Sequence, residues 1–309
     1  MLQRIIRIVK LLFRPSLLLH RIKLKFTEPL YADRVAIEEM WDMCMDYKLN
    51  LDNPQTFNEK IQWLKLYDRD PLKTTLADKY EVKKWLENNI GKQYVIPTLD
   101  VFSNVNDINY DQLPNQFVLK CNHDCGSVIV CKDKKLFDLS LAKQKLQKHL
   151  DTDFYLLFRE WCYKDIPRRI ICEKYMQNDD NSELTDYKFF CFNGIPKFLY
   201  VSYGLSNWEK AFINYMNLDW TPAPFHRPDF LEFKEIPPKP SKYDEMLEIS
   251  KKIATLFTFV RVDLYQIKNQ VYVSELTFYP GAGLDKFSPE IWDLKIGNML
   301  TLPSKKYNK

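Results

Sequence analysis

Apolar and polar positions follow the pattern of helices in the first third of the chain, over residues 34–90. Thr56 stands three residues before Glu59, which is the form of a capping box at a helix start. Asp70-Pro71 predicts a second helix start, because proline is favoured at the first helical position. Gly91 predicts a helix end. This part of the chain is therefore expected to be mainly helical.

After a polar stretch, Ser103–Pro114, the pattern changes to short apolar runs of strand length. Helical segments are predicted over residues 137–162 and 241–257. Asn193-Gly194 lies between two of the apolar runs and is the strongest short-range hairpin signal. These features predict an α+β fold with antiparallel hairpins. The predicted strands are Gln116–Lys120, Ser127–Lys132, Arg169–Tyr175, Tyr187–Phe192, Ile195–Val201, Phe259–Leu264 and Val271–Leu276.

Residues 1–26 form a basic segment with seven Lys and Arg residues and no Asp or Glu. Arg4, Arg7, Lys10 and Arg14 recur at helical spacing among apolar residues, a pattern typical of a helix at an anionic membrane surface. Packing against the body of the protein is the open alternative. The segment lacks an uncharged apolar run of about 18 residues and a signal-peptidase site. We therefore predict a cytoplasmic protein, with or without peripheral contact at the inner membrane face.

The rest of the chain is mildly acidic, because the other 38 of the 45 Lys and Arg residues stand against 41 Asp and Glu residues. This balance gives no reason to expect nucleic acid as a partner.

Seven cysteines are scattered along the chain, and none forms a C-x-x-C pair. Their neighbours are mostly apolar, so buried free thiols in a reducing cytosol explain them better than disulfides. A zinc site of Cys121, His123 and Cys125 is a weaker alternative, because no second ligand pair follows at finger-like spacing.

Two carboxylates in the last predicted hairpin are candidate metal ligands. Asp263 and Glu275 are equally distant from Asn269, so a turn of Lys268-Asn269-Gln270 would place them opposite each other, with Cβ atoms ~5 Å apart. Like charges at that distance need a cation between them, and oxygen ligands suit Mg²⁺. Thr277 points to the same face. A shift of one residue would separate the carboxylates, and two solvated carboxylates are the alternative.

A lysine at the end of a predicted strand is the second candidate. Lys120 precedes a tight loop that contains Asn122, Gly126 and Ser127, and such a loop can lay backbone N–H groups and one ammonium onto phosphates. A solvated hairpin with a terminal lysine is the alternative. In the Asn-Gly hairpin, Lys188 either extends outward to water or points into a cleft, where it would serve a phosphate or a developing acyl-phosphate charge.

Taken in this order, these segments resemble the ATP-grasp superfamily, and most closely its family associated with teichuronopeptide and capsular polysaccharide biosynthesis. The resemblance covers approximately residues 45–300. It implies an ATP-grasp fold, with a helical region over 27–112 and two α+β subdomains, 113–172 and 173–309, that sandwich the nucleotide. It also implies ATP and Mg²⁺ as ligands. The matching stretches are Thr56–Lys65, Leu113–His123, Asp186–Pro196, Arg261–Tyr265, Glu275–Gly283 and Lys286-Phe287.

The resemblance also implies roles for individual residues. Lys120 would contact the nucleotide phosphates, together with the loop residues Asn122, Gly126 and Ser127, and Glu173 would contact the adenosine. Lys188 and Arg261 would act near the transferred phosphoryl group, and Asp263, Glu275 and Thr277 would hold the metal. Thr277 replaces the asparagine that is usual in the superfamily. The phosphate loop is poor in glycine and contains Asp124, so nucleotide affinity is expected to be modest.

The resemblance implies an ATP-dependent carboxylate–amine ligase in cell-surface polysaccharide synthesis. Its acceptor would be a carboxylated compound or a glycan, either free or attached to a lipid. A glycosyltransferase that uses a nucleotide sugar is the alternative, since Asp68-Arg69-Asp70 has the D-x-D form, although capping explains Asp70 more simply. A non-catalytic adaptor with a degenerate site is the third hypothesis. Aromatic residues in Tyr203–Arg227 either stack on sugar rings or belong to the core.

Overall fold

The computed structural model describes residues 29–178, 184–204 and 211–305. The predicted basic segment 1–26 lies outside these ranges, so its membrane contact stays a prediction. Within them, no helix is both long enough and apolar enough to cross a membrane. The helices are α1 (Pro29–Cys44), α2 (Phe57–Tyr67), α3 (Pro71–Ala77), α4 (Glu81–Asn89), α5 (Leu139–Asp151), α6 (Phe154–Phe158), α7 (Tyr243–Ala254) and α8 (Ile291–Gly297).

The strands form two antiparallel sheets. The smaller sheet has the order β1-β4-β2-β3, and the larger has the order β7-β6-β5-β8-β9. Their pairing makes the fold α+β, as predicted. The strands are β1 (Thr98–Phe102), β2 (Phe117–Cys121), β3 (Ile129–Cys131), β4 (Ile170–Lys174), β5 (Asp186–Phe192), β6 (Ile195–Tyr203), β7 (Phe212–Asn217), β8 (Phe259–Ile267) and β9 (Gln270–Thr277).

Both predicted helix starts are confirmed. The Thr56 hydroxyl accepts a hydrogen bond from the Glu59 backbone N–H at 3.2 Å, and the Glu59 carboxylate accepts one from the Thr56 N–H at 3.0 Å. Asp70 caps α3 by accepting from the Leu72 N–H at 2.9 Å. These side chains satisfy backbone donors that a helix leaves without partners in its first turn.

Two edge strands were not predicted. Strand β1 pairs only with β4, inside the region predicted to be mainly helical, and β7 pairs with β6 inside the predicted aromatic loop. Within that loop Tyr215 and Phe225 are buried, and their ring centroids lie 4.7 Å apart. These two aromatic residues therefore belong to the core. Trp208, from the same predicted loop, lies outside the described residues.

Each sheet has its own hydrophobic core. Phe57, at the start of α2, packs on the larger sheet, with ring centroids 5.2 Å from Phe259 and 5.7 Å from Phe192. The core of the smaller sheet lies between its strands and α5, and includes Phe117 and Leu146. The capping box thus anchors the helix that supports β5 and β8, and these are the strands that bear three of the predicted site residues.

Candidate functional site

The predicted pairing of the two carboxylates is confirmed, since Asp263 lies opposite Glu275 between β8 and β9. The predicted three-residue turn is wrong. The turn is Lys268-Asn269, and both residues have positive φ, 51° and 63°, as a two-residue hairpin turn requires. A one-residue bulge between Asp263 and Leu264 compensates for the shorter turn. Two deviations from the predicted hairpin thus cancel and bring the carboxylates opposite each other.

Asp263 is fully buried and is neutralised by two basic side chains. Its carboxylate accepts hydrogen bonds from Arg261 Nε and Nη2, each at 2.7 Å, and from Lys188 Nζ at 2.6 Å. Burial raises the pKa of Asp263, but Arg261 and Lys188 lower it further, so the pKa lies below the ordinary value. The positive charge that we expected beside the carboxylates is therefore supplied here by Arg261 and Lys188.

Lys188 points into this cluster and not outward to water. It lies opposite Asp263 in the β5–β8 register and is 7% exposed. Its ammonium also forms an ion pair with Asp186, at 3.1 Å. Burial lowers the pKa of Lys188, but Asp186 and Asp263 raise it well above the usual value. The alternative of a solvated lysine is therefore wrong.

Arg261 links the buried aspartate to Thr277. The two residues are paired between β8 and β9, and Arg261 Nη2 donates to the Thr277 hydroxyl at 3.0 Å. The guanidinium carbon lies 5.6 Å from the centre of the Tyr200 ring, within the range of a cation–π interaction. Thr277 therefore lies on the same face as Asp263, as predicted.

Glu275 is more open and has a cationic partner that sequence reasoning missed. Its side chain is 28% exposed and lies 3.6 Å from Lys79 Nζ. Lys79 lies two residues after the end of α3 and also donates to the backbone carbonyl of Asp124, in the β2–β3 loop of the smaller sheet. Burial lowers the pKa of Lys79, but Glu275 and Asp124 raise it further. Lys79 thus bridges the loop of one sheet and the carboxylate of the other.

Lys120 and Glu173, predicted to contact phosphate and adenosine, form an ion pair of 2.7 Å on the smaller sheet. Lys83 on α4 is the second partner of Glu173, at 2.6 Å, and was not predicted. Burial raises the pKa of the Glu173 carboxyl, but the two lysines lower it further. The cluster is therefore a buried carboxylate between two ammonium groups.

The side chains of Asn122 and Ser127, in the β2–β3 loop, bond other parts of the protein. Asn122 is fully buried and bonds the backbone of Pro167 and Arg169. The Ser127 hydroxyl donates to Asp124 at 2.6 Å and accepts from the Cys121 N–H at 2.9 Å. The hydroxyl therefore has no donor left for a phosphate, and in this arrangement both side chains shape the loop and are not free to contact a nucleotide.

Two further residues of this loop are Asp124 and Gly126. Asp124 is buried, and its carboxylate bonds His149 and Ser127. Gly126 has φ +95°, a conformation that glycine adopts without steric cost, and lies beside the exposed Cys125. The other six cysteines are buried and free, as predicted.

The donor set on the larger sheet suits magnesium. Asp263, Glu275 and Thr277 offer two carboxylates and a hydroxyl on one face, and Mg²⁺ is commonly held by one or two carboxylates with water and phosphate oxygens. Among the described residues, no group of three or more His, Cys, Asp or Glu side chains could hold a metal by itself, which disfavours the zinc alternative. The chemistry of these three residues therefore fits a magnesium ion.

A sequence profile described as TupA-like ATPgrasp matches residues 59–301 of this chain. The chain belongs to the TupA-like ATP-grasp family. The resemblance drawn from the sequence is thus confirmed, and with it the ATP-grasp fold class. No curated protein matches the sequence significantly.

Solved structures similar to this TupA-like ATP-grasp protein include a D-alanine–D-alanine ligase from Bacillus anthracis, at 17% identity and TM-score 0.38 over 67% of this chain and 57% of that one. D-cycloserine synthetase DcsG is 13% identical, with TM-score 0.41 over 88% of this chain and 94% of that one. ATP-grasp ligase PsnB, complexed with a precursor variant, Mg and ADP, is 8% identical, with TM-score 0.35 over 68% and 51%. The chain spans just over half the length of the first and third. The family match alone carries the assignment.

The TupA-like ATP-grasp chain brings together five predicted residues on the larger sheet. These are Lys188, Arg261, Asp263, Glu275 and Thr277. Lys120 and Glu173 meet on the smaller sheet. Sequence reasoning missed Lys79 and Lys83, whose partners lie far along the chain, and Asp186, which pairs with Lys188 on the same strand.

Proposed function

We propose that this protein is a Mg-ATP-dependent ligase that activates a carboxylate as an acyl phosphate and joins it to an amine. The observation that carries this proposal is the position of Asp263 opposite Glu275, with Lys188, Arg261 and Lys79 bonded to them. Phosphoryl transfer depends mainly on positioning and charge stabilisation, and a face with paired carboxylates and three cations meets both demands.

Asp263 and Glu275, with Thr277, are the residues that would hold magnesium. A magnesium ion held there would neutralise part of the negative charge of the phosphates. Both Asp263 oxygens accept hydrogen bonds from Arg261 and Lys188 in the described arrangement. With Asp263 used to hold a cation, these two basic groups would have donors for the transferred phosphoryl group. Arg261 and Lys188 are therefore proposed to act first as partners of Asp263 and then as phosphate ligands.

Lys120 is proposed to contact the nucleotide phosphates, and Glu173 the adenosine. Glu173 has two lysine partners, Lys120 and Lys83. Lys120 can therefore leave for a phosphate while Lys83 keeps the buried carboxylate neutralised, which avoids the cost of an unpaired buried charge.

The contacts of Asp68 and Asp70, the two carboxylates of the D-x-D motif, do not favour the glycosyltransferase alternative. Asp70 caps α3, and Asp68 forms an ion pair with Lys73. These contacts give each carboxylate a role in the local structure around the start of α3. Intact bonding among Lys188, Arg261 and Asp263 likewise argues against a non-catalytic adaptor.

For the carboxylate we propose a uronic acid or another carboxylated sugar of a cell-surface polysaccharide, in line with the family to which the chain belongs. Cytoplasmic location and contact of residues 1–26 with an anionic membrane stay predictions, because that segment lies outside the described residues.

The test is ADP release by the purified protein with Mg-ATP and hydroxylamine, in separate incubations with D-glucuronate, D-galacturonate and L-glutamate. Hydroxylamine traps an acyl phosphate as a hydroxamate, so we expect equal amounts of ADP and hydroxamate with at least one carboxylate. Glu275→Gln should lower both by about 10²-fold or more, since it removes a carboxylate from the proposed metal site. Release of nucleoside diphosphate from a nucleotide sugar, without hydroxamate in any incubation, would support the glycosyltransferase instead.

A further inference from the structure

Asp124 is an acidic residue in the loop that was predicted to contact phosphates, and its carboxylate is held inside the protein. Asp124 is 2% exposed, and it accepts one hydrogen bond from the Ser127 hydroxyl at 2.6 Å and one from His149 Nδ1. Burial raises the pKa of Asp124, but His149, Lys79 and Ser127 lower it further, so the pKa lies below the ordinary value. Asp124 is therefore a buried anion that is bonded to a histidine.

His149 lies in the last turn of α5 and contacts two consecutive residues of the β2–β3 loop. Its imidazole donates from Nδ1 to Asp124, and its backbone carbonyl accepts a hydrogen bond from His123 Nε2 at 3.2 Å. Burial lowers the pKa of His123, and its buried Nδ1 has no partner among the described residues, so the ring of His123 is a neutral donor. The loop is therefore attached to α5 at one residue, His149.

The other side of the loop is attached to Lys79. The backbone N–H of Lys79 donates to the Asn122 carbonyl at 3.1 Å, and the Lys79 ammonium donates to the Asp124 carbonyl. The same ammonium lies 3.6 Å from Glu275, a proposed metal ligand. A continuous series of contacts thus runs from His149 through Asp124 to Lys79, and it joins α5, the loop and the larger sheet.

Helix α5 covers the face of the smaller sheet opposite to Lys120. Leu146, one turn before His149, packs in the core with Phe117 and Leu119 of β2. Lys120 alternates with these two strand residues, so its side chain points to the other face. His149 would therefore act on a nucleotide beside Lys120 through the loop and not by direct contact.

We propose that His149 is a positioning residue of the nucleotide site, which fixes the β2–β3 loop and Lys79 through its hydrogen bond to Asp124. This inference rests on the proposed function, because it assigns the loop a place beside the phosphates of Mg-ATP. Without the His149 donor, the buried Asp124 carboxylate loses a charge-assisted hydrogen bond and turns toward other donors or water. The backbone carbonyl that bonds Lys79 belongs to the same residue and moves with it. Loss of the donor should therefore weaken nucleotide binding more than it slows the reaction.

The first test compares wild type, His149→Leu and His149→Asn in their affinity for a non-hydrolysable ATP analogue with Mg²⁺, measured by isothermal titration calorimetry. Leucine removes the donor, whereas the side-chain nitrogen of asparagine lies at about the position of Nδ1 and can donate to Asp124. We expect a dissociation constant that is about 10-fold or more higher in His149→Leu and within about threefold of wild type in His149→Asn. The control is Gln144→Leu, on the exposed side of the same helix, which should bind as wild type does.

Kinetics separate positioning from a direct part in the reaction. The hydroxylamine assay is run at varied Mg-ATP with the carboxylate that yields most hydroxamate. His149→Leu should raise KM for ATP by about 10-fold or more and leave kcat within about twofold of wild type, because loss of a contact that serves binding alone raises KM. An equal KM with a strongly lowered kcat would contradict the positioning role.

The thiol of Cys125 reports on the loop without nucleotide and without ligase activity. Cys125 follows Asp124 directly and is exposed, whereas the other six cysteines are buried. Its rate of reaction with an aromatic disulfide reagent should rise about threefold or more in His149→Leu, because a loop released from α5 opens more often. The rate in His149→Asn and in Gln144→Leu should stay near that of wild type.

An unchanged dissociation constant in His149→Leu, or an equal loss of affinity in His149→Asn, would overturn the inference. A lower Tm in His149→Leu with unchanged affinity and thiol reactivity would show a structural role only, and would overturn it as well. If wild type itself did not bind the ATP analogue with Mg²⁺, the proposed function and this inference would both be contradicted.

Both variants are expected to fold, because the His149 side chain is 25% exposed. If His149→Leu does not fold, His149→Gln takes its place. The side-chain nitrogen of glutamine extends to about the position of Nε2, beyond the donor that bonds Asp124, so this variant should show the same loss of affinity. Wild-type affinity in a folded His149→Gln, with His149→Leu unfolded, would likewise overturn the inference.

Discussion

Asp263→Asn is expected to lower the free energy of unfolding by about 3 kcal/mol and to abolish ADP release. The carboxylate is fully buried between Arg261 and Lys188, and removal of one member of a buried ion pair typically costs ~3–5 kcal/mol because the other charges stay buried without a partner. Because asparagine retains one acceptor oxygen, we expect a destabilisation at the lower end of this range, ~3 kcal/mol. Urea unfolding at pH 7 measures the change.

The pH dependence of this difference has a definite sign. The folded-state pKa of Asp263 lies below its ordinary value, so its stabilisation is present above about pH 4 and is lost as pH falls through the folded-state pKa. The difference in the free energy of unfolding between wild type and Asp263→Asn should therefore be constant from pH 8 to pH 5 and should become smaller in acid. Asp244→Asn is the matched control, since the Asp244 side chain is 94% exposed, and it should change stability by less than about 0.5 kcal/mol. A similar small change in Asp263→Asn would show that the buried cluster does not exist in solution.

Lys188→Met is expected to be nearly as damaging, with a loss of about 3 kcal/mol in stability and about 10²–10³-fold in ADP release. The substitution leaves Asp186 and Asp263 close together without the ammonium that contacts both, at 3.1 and 2.6 Å. The pKa of Lys188 is raised, so its stabilisation is fully present at neutral pH and would be lost only as pH rises through the folded-state pKa. Urea unfolding and ADP assays at pH 7 measure the two effects.

Lys197→Met is the control on the neighbouring strand β6. Its side chain is exposed, so we expect a change within about 0.5 kcal/mol and no loss of activity. If Lys188→Met behaved like this control, Lys188 would be a solvated surface lysine, as the rejected alternative from the sequence held.

Features encoded by local chemistry could be predicted from the sequence. The capping box at Thr56 and the Asn193-Gly194 turn each depend on a few adjacent residues, and both are present as expected. The two missed strands, β1 and β7, are both at sheet edges. The edge strands β3 and β9 were predicted, so position at an edge is not the cause. In β1 only Phe102 is buried, so its apolar pattern is weak.

The pairing of Asp263 with Glu275 was predicted for an incomplete reason. The turn is one residue shorter than expected, and the bulge after Asp263 restores the register. A bulge of this kind depends on how the strand packs, which no short stretch of sequence encodes.

Partners distant in the sequence account for the rest of what was missed. Lys83 contacts Glu173, and Lys79 contacts Glu275, across very long separations in the chain. Nothing near either lysine distinguishes it from the other lysines on helical surfaces. Asn122 also has partners that the sequence does not reveal, because its side chain, in the predicted phosphate loop, bonds the backbone of Pro167 and Arg169.

We propose that the larger sheet holds Mg-ATP through Asp263 and Glu275, and the substitution Glu275→Gln removes one of these two carboxylates. Glu275 is partly exposed, with its lysine partner at 3.6 Å, so the variant should fold with little loss of stability. The measurement is the thermal shift caused by a non-hydrolysable ATP analogue with and without Mg²⁺. At about 100 times its dissociation constant the analogue should add about 2.7 kcal/mol to wild type, a shift of several degrees that needs Mg²⁺ and is lost in Glu275→Gln. An equal shift without Mg²⁺, or an undiminished one in Glu275→Gln, would contradict the claim.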